Sequence, residues 1–237
     1  MSLRIAETFA SIQGEGKLAG TPSWFVRLSG CNLRCRWCDT PYASWNPEGA
    51  SHTVESLAEL AKSSGLTHAV ITGGEPMIFA ELPELCTALH DLGLHITIET
   101  AGTVYPESWT DLACDLMSIS PKLANSTPIN DPRDPKRIWQ SRHEQVRLDT
   151  DILNRLLRDF PEHQLKFVVE SPADLAEIDH LLGRLSGFRP TDVMLMPEGT
   201  TPPSPETRRW IVRECLQRNW RYANRLHIEL FGDTRGT

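Results

Sequence analysis

The sequence lacks several features that would assign the chain to a membrane, nucleic-acid or disordered class. No stretch of its 237 residues approaches the roughly 18 consecutive apolar residues of a membrane-spanning helix. Lys and Arg total 24 against 31 Asp and Glu, so the basic excess of a nucleic-acid-binding domain is missing. Hydrophobic residues make up 40%, too many for a disordered chain. Without repeats or Gly/Ser linkers, we expect one domain over 1–237 and neither a membrane nor a nucleic acid as direct partner.

The opening of the chain, MSLRIAETFASIQGEG, has no apolar run typical of a signal peptide. We therefore expect a cytoplasmic protein, in which its six cysteines would not pair as disulfides. Three of them lie within eight residues, at Cys31, Cys35 and Cys38. Cys86 and Cys215 lie on apolar faces of predicted helices, as small core residues do, and Cys114 could be either core or ligand. The cluster of three indicates a metal site.

Short apolar runs alternate with amphipathic helical patterns along the chain. The runs that predict buried strands are 24–28, 69–71, 95–98, 116–119, 165–169 and 193–196, and a terminal strand is expected at 226–230. Apolar residues at helical spacing predict helices around 54–61, 82–92, 152–157, 175–185 and 210–216. This alternation predicts a parallel sheet covered by helices. Six units are too few for a closed eight-stranded barrel, which leaves a partial barrel or a doubly wound open sheet.

The stretch 123–149 interrupts this alternation, because it contains several prolines and many charges. A long insertion in a compact domain is usually a lid, an interface or disordered. We expect a lid or an interface.

Polar motifs follow the predicted strands. They are SGCNLRCRWCDT at 29–40, TGGEP at 72–76, ETAG at 99–102, SPK at 120–122, ES at 170–171 and MPEG at 196–199. Because the carboxyl ends of parallel strands meet at one crevice, these loops predict a single large site. Turn formation alone would explain Gly73 and Pro76, but it would not explain the cysteines.

The cysteine spacing, C-x3-C-x2-C, allows three interpretations. A helix face would place all three thiols together, but Gly30, Asn32 and Asp39 favour a loop. A zinc site usually takes four ligands, and no fourth lies nearby. A four-iron cluster held by three thiolates would leave one iron open. That iron could chelate S-adenosylmethionine, and an electron from the cluster would release a 5′-deoxyadenosyl radical.

The cysteine spacing, with Trp37 before the last cysteine, resembles the signature of the radical S-adenosylmethionine (radical SAM) superfamily. TGGEP resembles the second motif of that superfamily. This resemblance covers roughly the whole chain and implies an α/β fold, a partial (β6/α3)-type barrel of parallel strands. The segments ETFASIQGEG, GTPSWFVRLSGCNLRCRWCDTPYA, VITGGEP, ETAG and SPK are similar to the 7-carboxy-7-deazaguanine synthase family.

The narrower resemblance implies a carbon–nitrogen lyase that contracts the ring of 6-carboxy-5,6,7,8-tetrahydropterin to 7-carboxy-7-deazaguanine. Ammonia leaves, and the product feeds queuosine and other 7-deazapurines, hence a tRNA modification pathway. It also implies a [4Fe-4S] cluster, S-adenosylmethionine and Mg²⁺ as cofactors, an electron donor such as flavodoxin, and a homodimer. The alternatives are a glycyl-radical-enzyme activase and, in a different class, a zinc-stabilised binding module.

The resemblance implies site residues as well. The cluster thiolates would be Cys31, Cys35 and Cys38. S-adenosylmethionine would contact Trp37, Cys38, Asp39, Gly74, Ser120, Pro121 and Lys122. The pterin would contact Ile12, Gln13, Gly14, Arg27, Thr72 and Thr237. Mg²⁺ would take Thr40 together with oxygens of substrate and water.

Two of these assignments also have a basis in the residues themselves. The amide of Gln13 and the carboxylate of Glu15, in a glycine-rich turn, match the donor and acceptor edge of a pterin. Arg27 lies inside an apolar run and needs a partner, which is either the substrate carboxylate or an acid of the core. Glu75 and Glu99 are further candidates for hydrogen bonds to the methionine amino group or the pterin. No catalytic side chain is assigned beyond the cluster and the positioning residues.

Overall fold

One open sheet of nine strands organises the residues that the computed structural model describes, 2–109 and 111–237. The strands are β1 (Ser2–Ile12), β2 (Pro22–Leu28), β3 (Ala50–Thr53), β4 (His68–Gly73), β5 (His95–Thr100), β6 (Leu116–Ile119), β7 (His163–Val169), β8 (Val193–Pro197) and β9 (Arg221–Tyr222). Their spatial order is β3-β1-β2-β4-β5-β6-β7-β8-β9. From β2 to β9 neighbouring strands run parallel, whereas β1 is antiparallel to both β2 and β3. The predicted α/β class, a parallel sheet in the partial-barrel arrangement, is confirmed.

Helices connect most of the parallel strands. They are α1 (Val54–Ser63), α2 (Leu82–Asp91), α3 (Ile138–Val146), α4 (Thr150–Asp159), α5 (Asp174–Leu182), α6 (Pro205–Arg218) and α7 (Leu226–Phe231). Side chains cap three of them in the usual way, because Thr53, Asp149 and Ser204 each accept a backbone N–H of the first turn. No helix in the described part of the chain has the length and apolar character needed to cross a membrane.

The two faces of the parallel strands have different chemistry. In β7, Leu165 and Phe167 belong to the main hydrophobic core, which the helices cover. The alternate residues Lys166 and Val168 point to the other face, where a cavity lies. Other inward-facing strand residues are Thr72, Glu99, Ser118 and Met196. The sheet therefore buries an apolar face under the helices and presents a mainly polar face to the cavity.

The terminal strand predicted at 226–230 is wrong, because these residues lie in helix α7. Apolar residues at alternate positions suggested a strand, but only Ile228 is buried, and Leu230 is 54% exposed. Strand β1 was not predicted, since its apolar residues are too widely interrupted by polar ones to form a run. Helix α3 was also missed, inside the insertion 123–149.

Candidate active site

A cavity of about 510 Å³ opens at the carboxyl ends of the parallel strands. The loops after β2, β4, β5 and β6 contribute to its wall, as the strand-end motifs predict. β7 and β8 contribute strand residues, whereas Glu170 and Ser171 lie outside the lining. A volume of this size is typical of a small-molecule site.

The sequence-predicted site residues come together in this one cavity. Those that line it are Ile12, Gln13, Gly14, Arg27, Cys31, Cys35, Trp37, Cys38, Asp39, Thr40, Thr72, Gly74, Ser120, Lys122 and Thr237. Pro121 is buried and does not belong to the lining. Residues more than 200 positions apart in sequence therefore share one site.

The three clustered cysteines lie on one wall of the cavity. The backbone N–H of Leu33 donates to Cys31 Sγ at 3.3 Å, and Ser44 Oγ lies 3.1 Å from Cys38 Sγ. Burial raises the pKa of the Cys31 thiol to about 12 and also raises that of Cys35. A cation that binds thiolates would therefore displace protons from these groups.

The insertion 123–149 packs against the outside of the cysteine loop. His143 on α3 is fully buried, and its Nδ1 accepts the backbone N–H of Arg34 at 3.3 Å. Its Nε2 lies 2.9 Å from Ser126 Oγ, and the Ser126 carbonyl accepts the Arg36 N–H at 2.7 Å. The insertion thus braces the loop; its role as a lid or interface stays a prediction.

The GGEP segment supports the same loop from the inside. A Cβ on Gly74 would lie 2.1 Å from the carbonyl oxygen of Gly30, so only glycine fits this approach. Glu75 is fully buried and accepts hydrogen bonds from Thr100 Oγ1 at 2.7 Å and from the Ala101 N–H at 2.8 Å. Glu75 does not line the cavity, and burial raises its pKa. It joins the loops after β4 and β5.

Lys122, Ser120 and Trp37 form a second wall. Lys122 Nζ donates to Ser120 Oγ at 2.9 Å and lies 5.6 Å from the centre of the Trp37 ring. Trp37 Nε1 is buried and has no hydrogen-bond partner among the described residues. Thr40 Oγ1 lies 3.8 Å from Cys38 Sγ.

A polar set faces the cavity from β1, β4 and β5. Gln13 Nε2 donates to Glu99 Oε1 at 3.2 Å, and Thr72 Oγ1 donates to Glu99 Oε2 at 2.9 Å. Gly14 lies against His227, since a Cβ there would be 2.0 Å from its Nδ1. Helix α7 therefore docks on the Gln13 turn, and the Leu226 N–H donates to the Gly14 carbonyl at 2.8 Å.

Glu15 is the centre of a buried charge network. Lys166 Nζ donates to its Oε2, and Arg225 Nε donates to its Oε1 at 3.1 Å. Arg225 Nη2 also donates to Asp39, beside the last cysteine. Burial alone would raise the pKa of Glu15, but Lys166, Arg225 and His227 hold it well below its usual range. Glu15 is therefore ionised, and each of its two oxygens accepts a hydrogen bond from a cationic side chain of this protein.

Arg27 has the core acid that the sequence left as one alternative. Glu7 stands opposite it in the β1–β2 register, and Arg27 Nε donates to Glu7 Oε1 at 2.7 Å. Tyr42 OH donates to the same oxygen at 2.7 Å. Burial alone would raise the pKa of Glu7, but these two hydrogen bonds hold it below its usual value. Among the described residues the Nη groups of Arg27 donate no hydrogen bond, and the side chain lines the cavity.

The C-terminal residues Gly232–Thr237 fold back over the cavity. Arg235 anchors them: its Nε lies 3.2 Å from Glu7 Oε2 and its Nη1 lies 3.0 Å from Glu48 Oε2. Its guanidinium also stacks 4.0 Å from the centre of the Tyr42 ring. The tail thereby reaches the same carboxylate that pairs with Arg27.

Comparison with known proteins identifies the family. The model of the Radical SAM superfamily matches residues 25–148. A 7-carboxy-7-deazaguanine synthase of Rhodopirellula baltica is 45% identical, covering 100% of this chain and 89% of the relative. One of Halobacterium salinarum is 44% identical, covering 100% and 93%. A crystal structure of QueE from Escherichia coli matches with a TM-score of 0.69 at 26% identity, covering 94% and 93%. This chain belongs to the 7-carboxy-7-deazaguanine synthase family.

Membership of this family makes the chain a radical SAM enzyme with a small-molecule substrate, rather than an activase or a zinc module. The superfamily implies a [4Fe-4S] cluster and S-adenosylmethionine. The cavity fits both groups: it offers three thiols as donors, and Trp37 Nε1 on its wall has no hydrogen-bond partner among the described residues.

Sequence patterns did not identify several residues of this site. Lys166 carried a usable signal, because it is a charged residue inside the apolar run 165–169, the same signal that identified Arg27. Arg225 and Glu7 carried none, since each lies in an ordinary polar context, whereas His227 lies between Leu226 and Ile228 in the run 226–230 that predicts a strand. Cys86 and Cys215 are buried core residues on helices, as predicted.

Proposed function

We propose that this protein converts 6-carboxy-5,6,7,8-tetrahydropterin to 7-carboxy-7-deazaguanine with loss of ammonia, as a carbon–nitrogen lyase. The product would feed the queuosine and 7-deazapurine pathway, and through it tRNA modification. The observation that carries the proposal is the juxtaposition, in one cavity, of three cysteines with the Gln13–Glu99–Thr72 polar set and Arg27. The family relationship supplies the reaction.

The pterin would lie against the polar set. Gln13, Glu99 and Thr72 offer amide, carboxylate and hydroxyl groups whose mutual hydrogen bonds fix their orientation. Arg27 would bind the substrate carboxylate through its Nη groups, since its Nε is already held by Glu7. Ile12, Gly14 and Thr237 would complete the contacts, and the C-terminal tail would exclude water.

S-adenosylmethionine would lie between the cysteines and the Lys122 wall. Trp37, Cys38, Asp39, Gly74, Ser120 and Lys122 line this part of the cavity. Pro121, outside the lining, would act by holding its two neighbours in place. When bound, the cluster and S-adenosylmethionine supply the radical that removes a hydrogen atom from the substrate. The chain would contribute orientation of the two ligands.

Mg²⁺ would bind at Thr40. Among residues 2–109 and 111–237 no three His, Cys, Asp or Glu side chains converge as ligands of one ion. The ion would therefore take most of its ligands from substrate and water, with one from the Thr40 hydroxyl, as Mg²⁺ commonly does. Its affinity should then depend on substrate. A flavodoxin-like electron donor, a homodimeric state and a cytoplasmic location complete the proposal.

The test is product formation by anaerobically reconstituted protein. With the pterin, S-adenosylmethionine, Mg²⁺ and dithionite, 7-carboxy-7-deazaguanine should appear by mass spectrometry. Cys35→Ala should abolish both product and the brown colour of the cluster, whereas Cys114→Ala, outside the cavity, should retain both. Absence of product from the unaltered protein with a full iron complement would refute the proposed function.

A further inference from the structure

The outer surface of the insertion 123–149 carries exposed cations and exposed apolar side chains. Lys136, Arg137 and Arg142 are exposed, and within the described chain none has a carboxylate within ion-pairing distance. Ile129 and Ile138 are 60% and 61% exposed. We call these five residues the basic face. Its positive charge contrasts with the net charge of the whole chain, which is −7.

Two of the four acidic residues of the same segment are turned inward, whereas Glu144 is 43% exposed in an ion pair with Arg147 and Asp149 is exposed at the start of α4. Asp131 is buried and accepts from the Arg133 guanidinium at 2.6 and 2.8 Å. Asp134 is also buried and accepts the backbone N–H groups of Ile138 at 3.1 Å and Gln140 at 2.8 Å, at the start of α3. The two buried acids are thus engaged within the segment, and Lys136, Arg137 and Arg142 are left without an acidic partner among the described residues.

The backbone at Arg137 is strained. Its φ of 54° is in the left-handed region, which a non-glycine residue occupies at a free-energy penalty. A glycine or asparagine would fit this position with less strain.

The basic face lies over the cysteine loop. Trp139 of α3 contacts two guanidinium groups, that of Arg34 at 3.9 Å and that of Arg142 at 5.2 Å from the centre of its ring. Arg34 lies between the first two clustered cysteines, and its Nη1 donates to the Cys31 carbonyl at 2.8 Å. Val146, on the same helix, packs against the cysteines.

We propose that the basic face is the docking surface for an acidic one-electron carrier protein, an inference that rests on the proposed function. The carrier would lose one electron and the cluster would gain that electron, with no bond made or broken. A cationic rim with apolar residues suits an acidic partner that must dock briefly and leave. The other side of the cysteine loop faces the cavity, which the C-terminal tail covers.

The test compares two double variants of the holoenzyme with a purified, acidic flavodoxin as probe. Lys136→Glu with Arg142→Glu removes two cations of the basic face. Lys62→Glu with Arg209→Glu makes the same change in net charge on α1 and α6, where both residues are exposed and unpaired within the described chain. Binding is measured by fluorescence titration at low and high salt, and product formation is measured with reduced flavodoxin and with dithionite.

The basic-face variant should bind flavodoxin about tenfold more weakly at low salt, while the control variant stays within about twofold. Its flavodoxin-driven rate should fall in parallel, with its dithionite-driven rate unchanged. Equal affinities of the two variants would overturn the proposal. A change in sedimenting mass with unchanged flavodoxin affinity would also overturn it, in favour of a self-interface. No product with dithionite would instead count against the proposed function, which the binding measurement does not require.

Discussion

Replacing Arg225 by Gln should destabilise the fold through Glu15 rather than through Asp39. Arg225 pairs with both acids, but the Glu15 side chain is 15% exposed and that of Asp39 is 41% exposed. Breaking a buried ion pair costs about 3–5 kcal/mol, because one charge is left without a partner. Lys166 still pairs with Glu15 in the variant, so we expect a smaller loss of about 2 kcal/mol.

Double-mutant cycles separate the two interactions. Arg225→Gln combined with Glu15→Gln should give a coupling free energy of about 2 kcal/mol, and combined with Asp39→Asn less than about 1 kcal/mol. For a chain of this length, 1 kcal/mol shifts the melting temperature by about 2–4 °C. Thermal unfolding of anaerobic holoenzyme should therefore show a fall of about 4–8 °C for the single Arg225 variant.

The stability loss caused by Arg225→Gln should depend on pH, in a direction set by the pKa of Glu15. The pKa of Glu15 is depressed in the folded protein, so its contribution to stability is full above its unfolded pKa of about 4.3 and is lost as the pH falls through the folded pKa. Arg225→Gln moves that pKa back towards its ordinary value. The stability difference between the two proteins should thus be largest near pH 7 and shrink below about pH 4. Equal couplings to the two acids, or a difference that grows on acidification, would refute the reasoning.

Three further predictions concern the cysteine loop, the tail and the core. Gly74→Ala places a Cβ 2.1 Å from the Gly30 carbonyl oxygen, so it should destabilise the fold by about 1–3 kcal/mol. Because the cysteine loop must shift to make room, the affinity for S-adenosylmethionine should also fall in calorimetry. An unchanged melting temperature would contradict the close approach of residues 74 and 30. Arg235→Ala releases the tail from Glu7 and should raise KM for the pterin several-fold. The melting temperature should change little, since Arg235 is 46% exposed. An unchanged KM would show that the tail does not contribute to binding. Burial lowers the pKa of His68 to about 4, so the chain takes up a proton when it unfolds below about pH 6.5. The free energy of unfolding should therefore fall by up to about 3 kcal/mol as the pH is lowered to 4. In urea titrations of His68→Gln, the free energy of unfolding should depend less on pH.

Local sequence patterns were sufficient to predict most strands of the sheet. The parallel strands β4 to β8 could be found because each contains a short run of buried, largely apolar residues. Strand β1, which pairs with β2 and β3, could not be found in this way, since its burial alternates irregularly and its partners are set by tertiary pairing. Helix α7 was mistaken for a strand because six residues are too few to separate the two periodicities.

The position of the site was predictable, but its electrostatics were not. Because the carboxyl ends of parallel strands meet at one crevice, Thr72 and Lys122 are placed there whatever their neighbours are. The partners of Glu15 are 151 and 210 residues away in sequence, at Lys166 and Arg225, and no local pattern reports such a distance. Only the folded chain shows that Glu15 is already saturated by cations.

Two cationic residues of the parallel strands, Arg27 on β2 and Lys166 on β7, point to a common principle. Each carries a cation on the cavity face, and each is held by an acid from the β1 region, Glu7 and Glu15 respectively. Since a buried cation without a partner is strongly unfavourable, these two acids stabilise both strands next to the cavity. The antiparallel edge that sequence patterns overlooked is therefore a requirement of the site: it supplies the counter-charges that allow a parallel sheet to carry cations on its inner face.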